Sequence, residues 1–316
     1  MFSKTLLVGA AGAALALGAG VPRAQAASVA SQFFGLQLNQ LSDDNAEIQN
    51  NDLNADGLLW VGDTLRGITS ILTVEDLTGG GGSNTFGAGG VSEFTGLFEV
   101  EVKSATVTVD PDASCGGDPT CGGGASLTGD EFADFSFGVY APFATEVGVA
   151  NAAIALYDDP TPDFTRTGTV AAGEASATDG TMILALGFGK DADELWQAFG
   201  APVDPSFGTT VNPATSIGSF VAQLSILHNT TGWFFEQVDA GCQSPLQPTF
   251  PCAGDGKIDV NGTGGLVGTA GTTTGYEVWS NMDFTFRPVP EPGTMLLLGT
   301  GLVGAGALGR RRKKKS

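Results

Sequence analysis

Histidine is nearly absent: His228 is the single imidazole in 316 residues. That histidine lies far in sequence from Cys115 and Cys121, which argues against a zinc site. A nucleophilic triad would have to use His228, yet Leu224-Ser-Ile-Leu-His-Asn reads as strand and no G-x-S-x-G elbow occurs. Cysteine is almost as scarce, with four residues and no C-x-x-C spacing, which argues against a zinc ribbon. Positive charge is short as well. Lys and Arg number 14 against 34 Asp and Glu, for a formal charge of −20 and an isoelectric point near 4.1. Such a surface repels phosphate backbones, so nucleic acid is not an expected partner. The Gly-rich stretches lack a following Lys and helix, so no phosphate-binding loop is expected.

The cations that do exist are unevenly placed. Six stand consecutively at Arg310 to Lys315, behind an uncharged run of 17 residues from Gly293 to Gly309. As a helix at ~1.5 Å per residue that run reaches about 25 Å, near the short limit for crossing a bilayer. Clustered Lys and Arg beside a span stay cytoplasmic, which puts the rest of the chain on the other side. The N terminus agrees. Lys4 precedes a Leu/Ala/Gly-rich run to Val21, followed by Pro22 and Ala24-Gln25-Ala26, the pattern of a secretory signal cut after Ala26 by way of the Sec translocon. Eight of the 14 cations but only one acid, Glu291, lie in these two ends, so the body keeps six cations, 33 acids and a formal charge of −27.

Val289-Pro290-Glu291-Pro292 stands just ahead of the span, and its prolines hold Val289 and Glu291 extended. Pro290-Glu291-Pro292, the apolar run and the basic cluster beginning Arg310-Arg311-Arg312 together resemble the tripartite PEP-CTERM sorting signal. That resemblance implies an exosortase, a membrane-embedded cysteine protease of Gram-negative bacteria, cutting near the motif. It also implies a transient inner-membrane anchor, then transfer to the cell surface or extracellular polysaccharide matrix. It covers residues 289–316 and carries a route rather than an activity for the body. Three parts are thus expected: signal peptide 1–26, ectodomain 27–288 and sorting segment 289–316.

Within the body, periodicity points to strands. Leu97 to Val109 alternates apolar with polar residues, and shorter runs recur at Gly67 to Val74, Ala133 to Ala141, Ala152 to Tyr157, Thr181 to Phe188, Ser219 to Leu227, Gly232 to Val238 and Tyr276 to Phe286. Only Asp191 to Gly200 carries a helical pattern, with acids in its first turn and Gly at its end. Thr78 to Gly90 and Asn261 to Gly275 read as flexible Gly-rich loops. The fold expected is an all-β antiparallel sandwich of jelly-roll or immunoglobulin-like type. In the oxidising compartment that the signal implies, the four cysteines are expected as disulfides. Three pairings exist, and the sequential one, Cys115 with Cys121 and Cys242 with Cys252, closes two local loops.

One stretch suggests a metal. Asp52 to Asp63, DLNADGLLWVGD, places Asp52, Asn54 and Asp56 at loop positions 1, 3 and 5, the Leu58 carbonyl at 7 and Asp63 at 12. It resembles an EF-hand calcium loop of the dockerin kind, which implies a weak extracellular Ca2+ site. A β-rich segment follows where the family has a helix, and no second copy is present. The other reading is a strand-linking turn built on Asx side chains. Two functions are thereby expected of the body: a noncatalytic envelope or matrix protein, or a calcium-assisted carbohydrate-binding module with Trp60, Trp233 or Trp279 as sugar platforms.

Overall fold

The computed structural model describes residues 27–290, apart from 54, 56–58, 81, 88–90, 110–130, 167, 203–216, 241–252 and 269–274. In chain order its elements are β1 (Asn39–Asn51), β2 (Thr64–Asp76), β3 (Ser83–Thr85), β4 (Glu93–Val109) and β5 (Glu131–Val139). Helix α1 (Ala141–Glu146), β6 (Ala152–Asp159), helix α2 (Val170–Thr178), β7 (Thr181–Gly187) and β8 (Leu195–Pro202) follow. The last are β9 (Ile217–Asn229), β10 (Trp233–Glu236), β11 (Val238–Asp239), β12 (Lys257–Ile258), β13 (Val260–Gly268) and β14 (Val278–Pro290). Every ladder between these strands is antiparallel.

The expected all-β antiparallel architecture is present, and its pairings return on themselves. From β2 they run through β1, β14, β13, β9, β7, β6 and β4, and β4 pairs back to β2. A sandwich whose edges are joined this way leaves no open edge in the circuit. Where β6 leaves β4 at Phe98, β5 takes over from Val100 to Val109, and β8 continues the wall beside β9. The ring encloses one large apolar cluster that includes Phe33, Phe94, Phe98, Leu224, Phe284 and Phe286. As their spacing requires, Met282, Phe284 and Phe286 of β14 all face it. Outside the ring, α1 and α2 cover a second cluster made by Ile68, Leu97, Phe143, Ala177 and Tyr276.

Three local expectations need correcting. Asp191 to Gly200 is not a helix. Glu194 accepts hydrogen bonds from the amides of Gly189, Lys190 and Asp191, so the acids close a turn. Leu195 onward is strand β8, which buries Trp196 and Ala198 in the main core. Asn261 to Gly268, read as a flexible loop, belongs to β13. Ser83–Thr85, within the other Gly-rich stretch, forms β3. Gly264 of β13 serves packing: a Cβ there would collide with the Asn281 carbonyl and come within 2.6 Å of Phe220 Cζ. At the next residue, Gly265, a Cβ would meet nothing closer than 3.6 Å. Gly264→Ala is therefore expected to destabilise by about 1–3 kcal/mol, the usual range for overpacking. Gly265→Ala should be near neutral, and chemical denaturation of the pair checks the contrast.

Candidate functional site

The sorting motif begins inside the fold. β14 extends to Pro290, and its last four residues pair with β10: Arg287 with Glu236, Pro288 with Phe235, Val289 with Phe234 and Pro290 with Trp233. The Pro288 carbonyl accepts the Leu36 amide at 2.7 Å. Proline is tolerated here because this segment lies at the end of the ladder, where a missing N–H orphans no partner. Beneath it, Phe33, Phe235 and Phe286 pack edge to face or tilted, with centroids 5.2–6.5 Å apart. Trp233 is held by its indole N–H on the Ala30 carbonyl at 2.9 Å, and its ring fills the space a Gly35 side chain would need. Val289 is extended, as its neighbour Pro290 requires. Glu291, Pro292, the span 293–309 and Arg310, Arg311 and Arg312 lie outside the described residues, as do the signal 1–26 and Cys115, Cys121, Cys242 and Cys252. Among the described residues no helix is long and apolar enough to cross a membrane.

The calcium-like loop is described only in part, because Asn54, Asp56 and Leu58 fall outside. Asp63 is fully buried, and its carboxylate accepts the Leu53 amide on Oδ1 at 3.0 Å and the Trp60 amide on Oδ2 at 2.7 Å. Gln49 Nε2 adds a third bond at 3.2 Å. These bonds close the loop through Asp63 itself, as an Asx-based turn does. Asp52 sits at the opposite end of the loop, where its carbonyl accepts the Ala55 amide.

A charged cluster that sequence reasoning missed ties both helices to the barrel. Arg66, on the outer face of β2, presents its guanidinium to three carboxylates at 2.7–2.8 Å: Glu99 of β4, Glu146 of α1 and Glu174 of α2. The contacts to Glu146 and Glu174 each use two nitrogens, the fork geometry in which arginine binds carboxylate best. Burial works against the charged guanidinium, but the three carboxylates outweigh it and hold the Arg66 pKa above its ordinary value. The Arg66 hydrogen bond holds Glu146 below the usual carboxylate range.

Further acids gather where β4 meets β6. Glu93, Asp159 and Asp163 bring carboxylate oxygens within 4.8 Å of one another, a geometry that could hold a cation. Glu93 also accepts the amides of Asp163 and Phe164, so it anchors the loop after β6. Burial, reinforced by Asp159 and Asp163, raises its pKa. His228 lines a cleft of about 320 Å³ together with Lys190, Asn229, Phe234 and Asp259. Of the tryptophans considered as sugar platforms, Trp233 is spent on the fold and Trp279 lies under the Arg166 guanidinium at 5.0 Å.

The last strand of this closed antiparallel fold ends at Pro290, the first proline of Pro290-Glu291-Pro292, so the folded body runs into the C-terminal motif with no linker between them. Residues 288–313 match the family described as the PEP-CTERM protein-sorting motif, so strand and motif share residues 288–290. The chain carries that motif, which makes it an exosortase-targeted protein exported to the cell envelope. No curated protein matches the chain significantly.

Proposed function

We propose that the protein is a noncatalytic component of the envelope or extracellular polysaccharide matrix, exported by its signal, held briefly by its tail and released by exosortase. The observation that carries this reading is the overlap of β14 with the sorting match at residues 288–290, which binds body and tail into one substrate. The use of charge inside the body supports a scaffold role. All six body cations, Arg66, Lys103, Arg166, Lys190, Lys257 and Arg287, lie within 4.0 Å of an acid. Asp63, Glu93, Glu194 and Asp193 are engaged in capping backbone amides. What remains at the surface is strongly anionic, which favours solubility and divalent or cationic matrix partners.

The test is fractionation of the native host with intact mass measurement of each form. The expected surface form begins near Ala27 and lacks Arg310 to Lys315. A surface form that still carries the complete basic tail would refute release by exosortase.

A further inference from the structure

We propose that the folded barrel sets the near limit of tail processing: the scissile bond lies C-terminal to Pro290, and the released body keeps all of β14. The inference rests on the sorting reading above and adds the position of the cut. A protease takes its substrate as an extended chain with free backbone groups, and a paired strand becomes available only through local unfolding. Arg287–Pro290 is paired along its length with Trp233–Glu236, and the Pro288 carbonyl is occupied by the Leu36 amide. Freeing it would also disturb Phe33 and Phe286 of the main core and Phe235 and Trp233, which pack against that core rather than forming a loose flap.

Chain length sharpens the limit. Only Glu291 and Pro292 separate Pro290 from the apolar run at Gly293. Two residues can span at most about 7 Å, too little for a cleft to grip several residues while standing clear of the barrel. A membrane-embedded protease therefore has to meet the rim of the barrel that carries Trp233 and Leu36. In the reaction one peptide C–N bond breaks, and the carbonyl carbon takes the oxygen of water or the nitrogen of an amine acceptor. The departing nitrogen takes the proton and leaves on the fragment bearing the basic tail.

Two measurements on the full-length chain test this. In a host containing the protease, intact mass of the released body is expected to place its last residue at Pro290 or later, and a terminus at Val289 or earlier would overturn the proposal. In hydrogen exchange, the Val289 amide is expected to be at least ~10-fold slower than that of Glu291, since sheet amides open with their strand. Equal rates would also overturn it. Phe234→Pro removes an amide from β10, and exchange in β9 and β6 reports whether the barrel stays folded. This variant should speed Val289 exchange and produce termini upstream of Pro290. Fast exchange with an unchanged terminus would show that the motif alone sets the cut and would defeat the inference. A host that never trims the tail would overturn the sorting reading instead, while the exchange contrast still decides whether Val289 is protected.

Discussion

Replacing Arg66 by methionine is expected to destabilise the barrel by about 3–5 kcal/mol, the range for removing one partner from a buried ion pair. For a domain of this size that corresponds to a fall in melting temperature of roughly 10 °C. The effect comes from what is left behind. Glu99 is 1% exposed and would retain only Thr64 Oγ1 and Asn50 Nδ2 as donors, at 2.9 and 2.8 Å. Methionine keeps the apolar stem, so the loss reports charge and fork geometry rather than an empty cavity. Lysine should rescue little, because one point charge cannot serve three carboxylates arriving from three elements. Adding Glu99→Gln to Arg66→Met should recover part of the loss, a coupling that a double-mutant cycle measures. The pH dependence has a definite sign. Since Arg66 depresses the pKa of Glu146, that contribution is present above the ordinary carboxylate value and is lost as pH falls through the native one. The variant should therefore lose stability less steeply in acid than the wild type. A stability within 1 kcal/mol of wild type would mean that solvent screens the cluster as it screens a surface pair.

Strands that bury apolar residues on one face announced themselves through alternation, and β4, β9 and β14 lie where that pattern placed them. β1 did not, because the pattern is inverted there. Its inward positions after Leu41 are Asp43, Asn45 and Glu47, while Ala46 and Ile48 face the helix-covered side. Polar residues that hydrogen-bond one another inside a barrel, as Asp43, Asn45, Thr69 and Ser280 do, look in one dimension like a solvated loop. β13 was concealed differently: Gly264 is required by the close approach of Asn281 and Phe220, a demand visible only once the neighbours are placed. The acids of Asp191 to Glu194 matched a helix start because capping a turn and capping a helix use the same side chain on the same kind of amide. The sorting motif was legible because its signal is a linear order of chemical types. The Arg66 cluster was not, since its partners come from positions 99, 146 and 174. A lone arginine in the run Thr64 to Val74, whose other residues are apolar, hydroxylic or glycine, was the one available clue.

The inverted face of β1 gives the second large expectation: Glu47→Gln should stabilise the protein at pH 8 by about 3 kcal/mol and do little at pH 4. Glu47 is buried inside the ring, and burial pushes its pKa from 4.5 up to about 7, against the opposing hydrogen bond from Ser280. Its second oxygen, Oε2, and Asn45 Oδ1 are both buried without a partner. Between pH 4.5 and 7 the native state holds a proton that the unfolded chain has released. Native binding of the extra proton makes stability fall as pH rises: the benefit is complete below the unfolded value and gone above the native one. Asp43 acts in the same direction. Desolvation raises its pKa, although the Met282 amide and the Thr69 hydroxyl donate to it, so the variant should retain a residual slope. Glutamine preserves an acceptor for Ser280, replaces Oε2 with a donor and removes the charge that must otherwise form in the core. Denaturation midpoints across pH 4 to 8 should show wild type and variant converging in acid and separating above neutrality. A gap that stays constant with pH would show that Glu47 titrates in the folded barrel as it does in the open chain, and that water reaches it.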